Sequence, residues 1–176
     1  MKHTKKGFTL IELIVVISIL GILASIGFSS YIASFQKSRD SKRKADLNQL
    51  QIALEIYKQD FGSYPITTAC ANSNWASSSD KNKCNNDPFS WIPGLTTDDI
   101  KTVPLDPKNV GFPITDPNGY AYSYFSGNYC IDVSAGQYYI LTTRLENAKD
   151  PDIGKTKQIS DSCSWGQAGL YTVVNP

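Results

Sequence analysis

Glu12 is the one acidic side chain inside a dense apolar run, KKGFTLIELIVVISILGILASIGFSSYIASF over residues 5–35. Between Leu13 and Phe28, 12 of 16 residues are Leu, Ile, Val, Ala or Phe, and none is charged. A carboxylate in such a run costs several kcal/mol in hydrocarbon unless a cation or a proton neutralises it. Its placement therefore points to function. Cys70, Cys84, Cys130 and Cys163 are an even set that can pair in an oxidising compartment. Four cysteines allow three connectivities, of which the sequential one, Cys70–Cys84 with Cys130–Cys163, is preferred. A zinc site would need close C-x-x-C pairs or histidines, and neither accompanies the cysteines. Asp150, Asp152 and Asp161 are weak calcium candidates, since hard cations take carboxylate and carbonyl oxygens, but their spacing matches no EF-hand loop. No other metal and no organic cofactor is expected.

These side chains need elements to carry them. Residues 8–35 supply 28 positions, enough to cross a bilayer as a tilted helix. The helical pattern continues, with no Pro or Gly from Gln36 to Phe61, and Leu47, Leu50, Leu54, Tyr57 and Phe61 recur at spacings of 3 and 4, with Ala53 beside them. Gly62 and Pro65 then supply a cap and a stop. One helix over about residues 8–60 is expected, its outer half packing this stripe on a soluble domain. Lys37, Arg39, Lys42, Arg43 and Lys44 form the one dense basic run. It suits lipid headgroups, charge pairing between packed subunits, or DNA; a solvated helix face is the plainer reading. Basic residues flank both ends of the apolar run, so charge does not set its orientation.

From 63 to 117 the chain is polar and rich in proline, a loop region over which Trp75 and Trp91 pack. Turn signals at 116–119, 126–128 and 134–136 bound strands at 120–125, 129–133 and 137–145, an antiparallel meander, with a further strand at 169–174. The fold class is α+β: a long amino-terminal helix, membrane anchor plus amphipathic half, on a small antiparallel sheet.

Gly7-Phe8-Thr9-Leu10-Ile11-Glu12, behind Lys5 and Lys6, resembles the class III signal of type IV pilins and type II secretion pseudopilins. The resemblance implies cleavage by prepilin peptidase between Gly7 and Phe8, N-methylation of Phe8, and retention of the apolar helix. It implies that Glu12 acts in assembly, meeting the terminal amine of a neighbouring copy. The domains are then a leader (1–7), a transmembrane and fibre-core helix (8–35), an amphipathic helix (36–62) and a pilin head (63–176). His3, the only histidine, leaves with the leader, as do Lys2, Lys5 and Lys6, which turns the net charge of +1 to −2. No imidazole remains for acid–base work, no nucleophile motif is present, and an enzyme is not expected. Nor does so mild a charge favour a nucleic-acid partner.

The implied partners are copies of the chain in a helical fibre, the peptidase, membrane lipid, and a membrane platform with its ATPase. The implied location is the bacterial cytoplasmic membrane, single-pass with the amino terminus inside, then an extracellular or periplasmic fibre. A type IV pilus subunit is the leading expectation. A type II secretion pseudopilin is the alternative, followed by a DNA-binding or adhesive minor pilin.

Overall fold

A computed structural model describes residues 7–67, 75–79 and 91–175, and in the helix the side chains of 26–30 lie outside it. Helix α1 runs Leu10–Phe61, two residues inside the expected start and one past the expected end. Thr9 caps its start. At the other end Gly62, at φ 76°, donates its amide to the Lys58 carbonyl at 2.8 Å. Glycine takes that left-handed conformation without a Cβ penalty, and Pro65 follows where the helix cannot continue.

The chain divides into two compact units, Met1–Ser38 and Arg39–Pro176. In the first, the described large apolar side chains of α1 are exposed all round, from Leu10 to Leu23 and again at Tyr31, Ile32 and Phe35. Among the described residues no helix is long and apolar enough to cross a membrane. The stretch 10–25 rises only about 24 Å as helix, and the remainder of the expected span passes through residues 26–30, outside the described side chains.

In the second unit the sheet has four antiparallel strands in the order β1-β2-β3-β6: β1 Ala76–Ser77, β2 Ser123–Phe125, β3 Ile140–Arg144 and β6 Leu170–Val174. A hairpin of β4 Lys157–Ser160 and β5 Cys163–Trp165 forms a separate two-stranded sheet packed on it. The sheet is buried on both faces because alternate side chains go to opposite layers. Tyr139 and Leu141 join Leu47, Leu50, Ala53 and Leu54 of α1 in one core. Tyr138 and Ile140 join Phe125, Trp165 and Leu170 in a second, beneath the hairpin. Trp91 is buried and donates its indole N–H to the Pro104 carbonyl at 3.0 Å, and Trp75 packs against Phe125 and Trp165.

Two expectations are corrected here, and a third is met. The strand at 129–133 is a loop, and its first two amides go to a side chain. Tyr129 and Cys130 both donate to the Tyr138 hydroxyl, at 2.8 and 3.1 Å. The strand at 169–174 forms, and it lies directly against β3. Phe61 leaves the buried stripe: it is the last helical residue, 64% exposed, and stacks on the half-buried Tyr57 with centroids 4.4 Å apart.

Candidate functional site

At the start of α1, Thr9 and Glu12 form a reciprocal cap. The Thr9 amide and hydroxyl donate to the Glu12 carboxylate at 2.9 and 2.7 Å, and the Glu12 amide reaches the Thr9 hydroxyl oxygen at 3.4 Å. This is the capping box, a Thr and a Glu three residues apart that satisfy helix donors left without intrahelical partners. The T-x-x-E spacing was the signal for it in the sequence. Gly7 and Phe8, the expected cleavage pair, precede the helix and are exposed, and a Cβ at Gly7 would meet nothing within 4 Å.

The basic run has a different fate from a lipid or DNA patch. The guanidinium of Arg43 has no solvent exposure. Nε and Nη2 grip Asp106 at 2.7 and 3.1 Å, while Nη1 donates to Asp40 at 2.8 Å and to Glu146 at 2.9 Å. Arg39 adds a two-pronged contact to Glu146, both bonds 2.6 Å, and Lys108 a third cation at 3.0 Å. Asp40 also accepts the amides of Glu146 and Asn147, each at 2.9 Å, which ties α1 to the chain leaving β3. Bidentate arginine–carboxylate pairs of this kind are the strong form of the ionic hydrogen bond. The hydrogen bond from Arg39, helped by Arg43 and Lys108, outweighs burial and holds the Glu146 carboxyl down at about 2. Burial alone would lower the Arg43 pKa, but the carboxylates of Asp106, Glu146 and Asp40 raise it.

Lys44 continues the pattern. Its ammonium lies 2.8 Å from Asp150 and 2.8 Å from Asp152. Lys155 reaches Asp152 at 2.7 Å, and together the two lysines, Lys155 foremost, pull that carboxyl to about 2. The calcium candidates are thereby separated. Asp150 and Asp152 already hold a cation in the form of Lys44, while Asp161 sits on the turn between β4 and β5. Among the described residues the three make no metal-sized group. Arg39, Arg43 and Lys44, read from the sequence as lipid, subunit or DNA contacts, pair with carboxylates of the head. Lys37 and Lys42 are exposed.

Cys130 and Cys163 form a disulfide with Cα atoms 5.6 Å apart, as the sequential pairing requires. Cys70 and Cys84 lie outside the described residues. The acid network is what sequence reasoning missed. Glu146 and Asp106 stand 103 and 63 residues from Arg43, and no local pattern marks them.

With this geometry in view, residues 2–28 match the family description "prokaryotic N-terminal methylation motif". That motif is the mark of the type IV pilin and type II secretion pseudopilin superfamily. Over 66 residues the chain is 42% identical to the type II secretion system core protein G of Aeromonas hydrophila, covering 38% of this chain and 46% of the relative. The core protein G of Vibrio cholerae is 42% identical over 69 residues, covering 38% of this chain and 47% of the relative. That of Escherichia coli is 40% identical over 63 residues, covering 36% and 43%. The chain thus spans less than half the length of these curated relatives. No solved structure matches.

Proposed function

We propose that this chain is a structural subunit of a type II secretion pseudopilus, anchored in the membrane by α1 until it is drawn into a short helical fibre. The observation that carries this reading over a surface pilus is the similarity to core protein G relatives at about 40% identity. The amino-terminal motif supports processing by prepilin peptidase between Gly7 and Phe8, with methylation of Phe8, and points to the membrane as the place of storage. The exposed apolar flank of α1 supports a partner outside the chain, first lipid and then neighbouring helices. The inward pairing of Arg39, Arg43 and Lys44 weighs against a DNA-binding minor pilin.

Deletion in the native host tests the proposal. Folded exoproteins are expected to stay in the cell envelope, and mass spectrometry of the complemented strain should find a mature chain that begins at N-methylated Phe8. Undiminished export together with loss of surface fibres would replace this reading by the pilus one.

A further inference from the structure

The Cys130–Cys163 disulfide has a negative charge fixed at its side. Asp132 follows Cys130 by two residues, and both Sγ atoms and a carboxylate oxygen of Asp132 lie within 4.8 Å of one another. The carboxylate is held in place from the Cys163 side of the bond. The Ser160 hydroxyl donates to it at 2.6 Å, and the Ser162 hydroxyl donates to the same oxygen. Hydroxyl partners leave the charge uncancelled, where a lysine or arginine would offset it. They also lower the Asp132 pKa, Ser160 foremost, so the group stays ionised into the acid range.

The two sulfurs differ in access. Cys130 is buried in the core beneath the hairpin, and Cys163 is half-buried at its edge, so a small thiolate reaches Cys163 first. In that exchange the incoming thiolate forms a new S–S bond to Cys163. The Cys130–Cys163 bond breaks with its electron pair passing to Cys130, which leaves as a thiolate and takes a proton from water. Negative charge therefore moves past Asp132 on the way in and gathers beside it on the way out. We infer that Asp132 is an electrostatic guard of this disulfide, which slows its exchange with thiolates and discriminates most against anionic ones. Repulsion hinders the approach. The same carboxylate raises the pKa of the departing Cys130 thiol, and a thiol of higher pKa is the poorer leaving group. What is protected is the covalent tie between the β2–β3 loop and the hairpin.

The full-length chain in detergent is exposed to 2-mercaptoethanesulfonate, 2-mercaptoethanol or cysteamine at equal thiolate concentration. Alkylation and peptide mass spectrometry then follow the opening of Cys130 and Cys163 with time. Asp132→Asn keeps an oxygen for the two serine hydroxyls and removes the charge. A unit charge at about 4 Å in water changes a rate roughly fivefold. The variant should therefore exchange about fivefold faster than the parent with mercaptoethanol, by a larger factor with the sulfonate, and by a smaller one with cysteamine, whose ammonium offsets its thiolate. The unaltered chain gives the same reading without a substitution: raising salt to about 1 M should speed the sulfonate reaction most and the cysteamine reaction least. Asp161→Asn is the control, since it removes an equal charge from the exposed turn two residues before Cys163 and should change the rates less. Equal acceleration with all three thiols would mean a loosened loop and would overturn the guard. Unchanged rates in Asp132→Asn, or an equal effect from Asp161→Asn, would overturn it as well.

Discussion

Along residues 10–25, α1 turns exposed apolar side chains in every direction. From Arg39 onward the same helix buries a leucine stripe on one side and a fully paired arginine on another. Backbone hydrogen bonding is alike in both stretches; what differs is where the side chains find partners. The amino-terminal stretch leaves its apolar area exposed, and its one acid is held by Thr9. The head stretch spends charge as well as apolar area within the chain. The two stretches should therefore respond to different insults.

The largest effect expected in the head comes from Arg43→Met. It leaves the carboxylates of Asp40, Asp106 and Glu146 buried without their shared cation, and breaking a buried pair from one side costs about 3–5 kcal/mol. Denaturant unfolding of the detergent-solubilised chain, read by aromatic absorbance, measures the loss. A change below about 1 kcal/mol would mean that water already reaches this cluster, at the level of an exposed ion pair. Cleavage after Gly7 should be unaffected, since no residue of this network lies near it in sequence.

Acid should produce a smaller loss in the same place. The Glu146 carboxyl sits at about 2 in the folded head, against an ordinary value of 4.5. Its folded pKa is lowered, so its contribution is complete above about 4.5 and disappears as pH falls toward 2. From the size of that shift the contribution is on the order of 3 kcal/mol. A stability–pH curve checks it, and Glu146→Gln should flatten the acid limb. An unchanged limb in that variant would assign the acid sensitivity to other carboxylates.

How much of this was legible follows the same division. Helix limits, the Gly62 cap, the strand at 169–174 and the Cys130–Cys163 pair rest on local signals, namely periodicity, glycine and cysteine order, and these can be read along the chain. The head's ionic wiring is non-local. Arg39 and Glu146 are 107 residues apart, so the basic run read as a surface although its partners lay in a loop with no motif. The loop at 129–133 reads as a strand from its β-forming residues and flanking turn signals, yet the Tyr138 hydroxyl accepts the amides of Tyr129 and Cys130. Asp150 and Asp152 read as weak calcium candidates, and they pair with Lys44 from a helix more than a hundred residues away.

The smallest effect on the head should come from Glu12→Ala, which separates the two stretches most sharply. Glu12 belongs to the other compact unit, and distant, independent sites contribute additively, so the unfolding midpoint of the head should not move. Locally the variant loses half of the Thr9–Glu12 cap, worth about 1 kcal/mol of helix start. Cleavage after Gly7 should persist, and fibre yield should collapse, because the buried amine of a neighbouring Phe8 would lose its counter-charge. Thr9→Val distinguishes charge from cap: it weakens the cap but keeps the carboxylate. If assembly needs the charge, Thr9→Val should still form fibres where Glu12→Ala does not. Equal losses in the two variants would reduce Glu12 to a helix cap, and normal fibres from both would remove it from assembly altogether.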